Sequence, residues 1–290
     1  MWQAAGMSIP CQFVRTAKIG CLLIAVLWIH DASAWGHLGH RLTGLIAESQ
    51  LSKSAREQVQ MLLGDESLAA AATYMDEQRD RLKQRWPASE RWHYDNQPVC
   101  GTSSRYCADD NCATRRLVRL QTLLADPHTE RSERALALRL LVHILGDIHQ
   151  PLHMADNADR GGNDVFVRLY AGATRYRLHE VMDTVLLKEL VGAQRPRAYA
   201  QQLIERYRPQ FATWQQGNMA TWGQQTHLLA VNRSYGSLPG FACNTHGATM
   251  TLPAAYVQDA KRYLPEQVTK AGVRIAAVLN AVLDPHPGNE

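Results

Sequence analysis

Two pairs of residues, His143 with Asp147 and His179 with Asp183, stand four apart in the segments RLLVHILGDIHQPLH and LHEVMD. Residues four apart share one face of an α-helix, so within each pair the imidazole and the carboxylate project side by side. Zinc accepts imidazole nitrogen and carboxylate oxygen, and each pair can serve one ion or two neighbouring ions. Having two oxygens, Asp147 can bridge two metals while His143 binds one. Either pair alone is more often a salt-bridging or core pair. Two of them, joined by His153 behind the helix-ending Pro151 and by His40 and His93, supply ligands for several zinc ions. His40 lies in WGHLGHR and His93 in WHYDNQP, where a helix gives way to a cysteine-bearing loop. Asp76, in AATYMDEQRD, taken alone reads as a solvated helix carboxylate.

Trp35 has a chemistry of its own. Arg15 and Lys18 precede the apolar run IGCLLIAVLWI, and Ala32-Ser33-Ala34 stands directly before Trp35. A basic start, an apolar middle and an A-x-A end are the pattern of a secretory signal peptide over residues 1–34, with the mature protein over 35–290. The run from Ile19 to Ile29 is too short for a permanent membrane span, and no other long apolar run follows. A mature chain starting at Trp35 offers its free amine and its carbonyl oxygen as a five-membered chelate. Metal binding deprotonates such an amine readily, since its pKa is about 8.

The elements that must position these groups are mainly helical. Apolar residues at three-to-four spacing run through Leu38–Leu51, Val59–Leu63, Leu117–Leu124 and Ala135–Ile148, then Val181–Leu190, Tyr199–Trp214, Met219–Val231 and Ala254–Leu283. Ser52 suits an N-cap, Gly64 a C-terminal stop, and Pro265 the first turn of the last helix. One stretch breaks the pattern: Val165–Tyr170 and Thr174–Leu178 around Ala171-Gly172-Ala173 read as a short β-hairpin. With no repeat or Pro/Ser linker in its 290 residues, the chain reads as one multi-helical domain, mainly α.

Beyond residue 34 stand Cys100, Cys107, Cys112 and Cys243, an even count that in an exported chain suggests two disulfides. A zinc–thiolate site is the weaker alternative, because the spacings are not C-x-x-C. The formal charge of +4 is mild and is weak evidence for a polyanionic substrate.

Taken in order, WGHLGH at 35–40, the aspartate of TYMDEQR, the histidine of WHYDN, HILGDIHQPLH at 143–153, GGN at 161–163 and LHEVMD at 178–183 resemble the zinc-dependent single-strand-specific nucleases of fungi, plants and bacteria. That family shares its superfamily with bacterial phospholipase C. The resemblance implies three zinc ions in a cleft. Asp76, His93, His143 and Asp147 would hold one. The amine and carbonyl of Trp35, with His40 and the bridging Asp147, would hold its partner; His153, His179 and Asp183 would hold the third. It further implies that Arg79 meets the scissile phosphate, that Asp76 orients the attacking water, and that Tyr94 and Asn96 line a base pocket. The cysteine layout matches as well, with pairs Cys107–Cys112 and Cys100–Cys243. The implied reaction is cleavage of the P–O3′ bond of single-stranded DNA and RNA to 5′-nucleotides, with action on 3′-nucleotides. No permanent membrane association and no obligate protein partner are implied. A phospholipase C using the same cluster is the rival enzyme, and a zinc-binding protein with a dead cluster the non-enzyme rival. His37, His149, Met182 and Tyr74-Met75 depart from the family pattern without removing a ligand, and bear on base preference and cluster rigidity. For His37 and His149 roles behind the ligands or at the surface are expected. His128, His227, His246 and His286 read as exposed.

Overall fold

A computed structural model of the protein describes residues 35–101, 104–244 and 247–284. The expected signal segment 1–34 and His246 and His286 lie outside the described residues. Helices dominate: α1 (His37–Ser49), α2 (Lys53–Leu63), α3 (Leu68–Ala71), α4 (Tyr74–Glu77), α5 (Arg79–Arg85), α6 (Ala113–Ala125) and α7 (Arg131–Asp147) form the first part. α8 (Leu178–Glu180), α9 (Leu186–Val191), α10 (Pro196–Tyr207), α11 (Phe211–Trp214), α12 (Met219–Leu229) and α13 (Ala254–Leu283) form the second. Ser52 caps α2 by accepting from the Ala55 amide at 3.1 Å, and Gly64 ends it at φ 65°, a conformation natural to glycine.

α13 is the central support. It runs 30 residues, and its face from Tyr256 to Leu283 is largely buried. Against α1 the backbones come so close that a Cβ on Gly272 would lie 2.6 Å from the Ile46 Cβ. Pro265 sits inside this helix, not in its first turn; Pro253 occupies the N-cap instead. A proline there removes one ladder hydrogen bond, at about 3 kcal/mol. Packing of the buried helix on α1, α7 and α10 offsets this, and Pro265 is itself buried.

The expected hairpin is present. β3 (Phe166–Arg168) pairs antiparallel with β4 (Arg175–Arg177), Val167 opposite Tyr176. Two further pairings have no signal in the sequence. β5 (Met250–Thr251) joins β3 in parallel, and β1 (Gln97–Pro98) pairs in parallel with β2 (Ala155–Asp156). Cys100 is bonded to Cys243 and Cys107 to Cys112, which closes the thiolate alternative. The first bond ties the strand after Asn96 to a segment 143 residues away. No described helix is long and apolar enough to cross a membrane.

Candidate metal centre

Asp147 is the last residue of α7 and fully buried. The C-terminal end of a helix carries partial negative charge, so a carboxylate there is disfavoured unless something positive faces it. What faces it are imidazoles. Asp147 Oδ2 lies 3.0 Å from His93 Nδ1 and 3.3 Å from His143 Nε2; Oδ1 lies 3.3 Å from His40 Nε2 and 3.8 Å from His153 Nδ1. The His40 and His143 rings stack at 3.8 Å, and His153 stacks on His179 at 4.9 Å. Asp183 completes the far side, with Oδ2 3.1 Å from His179 Nε2 and Oδ1 3.7 Å from His153 Nε2. The donors fall into three groups within metal-binding reach: His40, His143 and Asp147; Asp76, His93 and His143; His153, His179 and Asp183.

Three of these histidines are turned by main-chain carbonyls. His143 Nδ1 meets the Ala72 carbonyl at 2.7 Å, His153 Nδ1 that of His93 at 2.8 Å, and His179 Nδ1 that of Gly161 at 2.6 Å. A carbonyl only accepts, so Nδ1 carries a proton in each ring and Nε2 is the nitrogen that can offer a lone pair to a cation once it is unprotonated. Burial holds His40 and His93 well below the usual imidazole range, and pushes His153 down to about 4, so all three are neutral near pH 7. Burial also disfavours a charged His143, yet Asp147 and Asp76 beside it prevail and raise it to about 9; burial lifts Asp147 to about 7. Both ring nitrogens of His40, Oδ1 of Asp147, Oδ2 of Asp76 and Nε2 of His153 are buried with no hydrogen-bond partner among the described residues. Buried polar atoms are rarely left so. Converging nitrogen and oxygen atoms left without hydrogen-bond partners fit metal ions, and imidazole plus carboxylate is a zinc donor set.

Local backbone devices hold the donors. The π-helical turn Val181–Val185 follows α8 and carries Asp183 to the face of His179. The β1–β2 bridge sets His93 beside His153: the amides of Asp95 and Asn96 both donate to the His153 carbonyl, at 3.0 and 3.2 Å. Asp95 then clamps this segment to α6, accepting from the Thr114 amide and hydroxyl at 3.0 and 2.7 Å. Trp35 is sealed in the core, its indole donating to the Gly146 carbonyl at 2.9 Å, and the Gly36 amide next to it donates to the Asp183 carbonyl. The main chain at Trp35 is thereby set beside the segment that carries Asp183.

On the open side, Asp76 Oδ1 accepts from Arg79 at 3.2 Å. Arg79, Tyr94 and Asn96 are all half-buried, and Asn96 adopts φ 49°. Three residues that sequence reasoning passed over also contribute. Gln150 donates to Asp183 Oδ1 and accepts from the Leu152 amide, and Gly161 and Ala72 act through their carbonyls. Gln150 and the GGN motif were visible signals; the Ala72 carbonyl had none. His149 is a correction. It is fully buried, its Nδ1 on the Leu145 carbonyl and its Nε2 accepting from Arg274 at 2.9 Å. It lies neither at the surface nor against a ligand, because one step of helix past Ile148 turns it to α13. His227 is half-buried on the Met154 carbonyl, not exposed, whereas His37 and His128 are exposed.

Comparison with known proteins agrees with this geometry. A sequence model of the S1/P1 nuclease family matches residues 35–284. Nuclease S1 of Aspergillus oryzae (strain ATCC 42149 / RIB 40) is 29% identical over 272 residues, 86% of this chain and 91% of that protein. Endonuclease 4 of Arabidopsis thaliana is 27% identical, covering 92% of this chain and 95% of its own length; nuclease P1 of Penicillium citrinum is 27% identical, covering 86% and 97%. Nothing among these findings favours a phospholipase. With the match taking in nearly all of residues 35–290, the chain belongs to the S1/P1 nuclease family and is a hydrolase of phosphodiester bonds.

Proposed function

We propose that the protein is an exported three-zinc endonuclease that cuts single-stranded DNA and RNA at the P–O3′ bond, releases 5′-nucleotides, and removes phosphate from 3′-nucleotides. The observation that carries this is the convergence of three donor groups on and around Asp147, with buried lone pairs left unpartnered. Asp76, His93, His143 and Asp147 would hold one ion, Trp35, His40 and Asp147 the next, and His153, His179 and Asp183 the third. Zinc, when bound, supplies Lewis acidity toward the phosphoryl oxygens and an ionised water near neutral pH.

The chain's own residues do the rest. Asp76 is tied on one oxygen by Arg79, which leaves Oδ2 for the centre and for orienting the attacking water. Arg79 meets the charge that builds on the phosphoryl oxygens. Tyr94 stacks a base and Asn96 bonds its edge, which requires that base to be unpaired; extruding it from a duplex costs a few kcal/mol. Both residues share a backbone with His93, and this segment is bonded across to the His153 carbonyl by the amides of Asp95 and Asn96, so base and phosphate would be gripped by one segment.

Export rests on Ala32-Ser33-Ala34, on the two disulfides, and on a family match that begins at Trp35. Purified mature protein should hydrolyse single-stranded DNA and RNA, spare duplex DNA, ignore phosphatidylcholine, contain three zinc ions and begin at Trp35. Equal rates on duplex and single strands would refute the pocket assignment. A mature start elsewhere would remove Trp35 from the ligand set.

A further inference from the structure

We propose that the cavity around Arg274, between α12 and α13, is a second binding site that takes a tetrahedral oxyanion such as sulfate or phosphate. It shares none of the residues assigned to the zinc centre and does not depend on the nuclease reading. Arg274, on the long helix α13, is only 3% exposed. Its Nε donates to the Trp214 carbonyl at 2.7 Å, Nη1 to His149 Nε2 at 2.9 Å, and Nη2 to Gln225 Oε1 at 2.6 Å. The guanidinium carbon also lies 5.0 Å from the centre of the Trp222 ring. Every one of these partners is neutral. His149 has its Nδ1 on the Leu145 carbonyl, so its Nε2 accepts as part of an uncharged ring, and burial holds it in that form.

Buried charges are normally paired, because taking an isolated ion out of water costs several kcal/mol. Arg274 has no carboxylate partner among the described residues. Burial alone pulls it down to about 10, with no neighbouring anion to hold it up, and it remains a cation at pH 7. Each terminal nitrogen carries two N–H groups and uses one of them among the described residues, so two donors are left over.

Arg274 lines a cavity of about 120 Å³ together with Gln225, Arg233, Glu266 and Lys270. The charges around it do not cancel. Arg233 is held by Asp259 through two nitrogens, and Lys270 pairs with Glu266 at 2.6 Å. Arg274 is left as one uncompensated positive charge. The volume is well below the roughly 300–1,000 Å³ of sites that enclose drug-sized molecules, so a nucleoside does not fit inside. A small oxyanion does. Its oxygens match the planar guanidinium fork, and Lys270 adds a point charge that Glu266 shares.

The test is titration calorimetry of the zinc-loaded protein with sodium sulfate, at an ionic strength held constant with sodium chloride. Wild type should bind sulfate at this site. Lys270→Gln should raise the Kd about three- to tenfold. Glu266→Gln removes the one carboxylate that lines the cavity among the described residues, and should lower the Kd about two- to fivefold. Arg274→Met should abolish binding but also breaks three internal hydrogen bonds, so the two less buried positions carry the test, in opposite directions. No heat of binding, or a Kd that neither substitution moves, overturns the site; in the second case the anion sits at the zinc ions. Adenosine 5′-monophosphate separates the two sources of such an anion once the sulfate result holds. An affinity for it that Lys270→Gln lowers assigns the cavity to the phosphate end of a nucleotide, and one that Lys270→Gln leaves unchanged assigns it to the free anion.

Discussion

Gly161 bonds no metal in any reading of the site, yet Gly161→Ala should remove a metal. Its φ is 63°, and a Cβ there would lie 2.4 Å from the Leu152 carbonyl oxygen, which is backbone and cannot swing aside. The backbone conformation alone costs a non-glycine residue about 1–3 kcal/mol. Forcing an atom into a filled site adds about another 1–3 kcal/mol. The relief is movement of 161 away from 152, which pulls the Gly161 carbonyl off His179 and shifts the residue before His153. The expected loss is therefore about 2–6 kcal/mol, or very roughly 5–20 °C in Tm for a domain of this size. The metal count should fall from three to two, since His153 and His179 serve the same group. Gly64→Ala is the control, because its φ of 65° is as unfavourable but nothing lies within 4 Å of the added Cβ. That variant should lose only the backbone share and keep every metal. Calorimetric Tm together with metal analysis decides the matter. A Gly161→Ala protein that melts early yet holds its full metal content would refute the idea that this loop aims His179.

Asp147→Asn should be the most damaging single ligand change, leaving about one zinc per chain, because its two oxygens face separate groups; full metal content would disprove the bridge. Arg79→Ala should lower kcat about 10²–10³-fold with little change in KM, as expected for a contact made in the transition state. Tyr94→Ala should instead weaken substrate binding by roughly 1–3 kcal/mol and blunt strand preference, with zinc retained; an unchanged KM would make it a packing residue. Zinc binding should release protons, because His143, raised to about 9, must lose one, as must the fraction of Asp147, raised to about 7, that is protonated. Affinity should accordingly fall as pH drops from 9 through 7, and calorimetry in buffers of differing ionisation enthalpy should read at least one proton per chain at pH 7.

The readable parts of the molecule were those whose signals are local. The four-residue spacing of His143 with Asp147 and of His179 with Asp183 needs only helical geometry, as do Ser52 and Gly64 at the ends of α2. Pro265 misleads because a proline commonly marks a helix start, whereas here it stands inside the buried α13. His149 misleads because its position two residues past Asp147 suggests the metal, while Ile148 begins a turn that swings it toward Arg274. The β1–β2 bridge is two residues long on each strand, too short for any periodicity, although it fixes His93 against His153.

What spacing cannot express is the part played by carbonyl oxygens. Ala72, His93 and Gly161 each orient one imidazole, and none does so through a side chain. Each lies on a different segment from the histidine it holds, so a ring is aimed only once the end of α3, the turn before Tyr94 and the loop before β3 have packed. The donor set is therefore a property of the whole fold, while the identity of the donors is a property of short motifs. A metal bound to such a set stabilises every segment that supplies a carbonyl, since binding to the folded state alone shifts the folding equilibrium. By the same linkage, damage at Leu152 or Gly161 reaches the chemistry without touching a ligand.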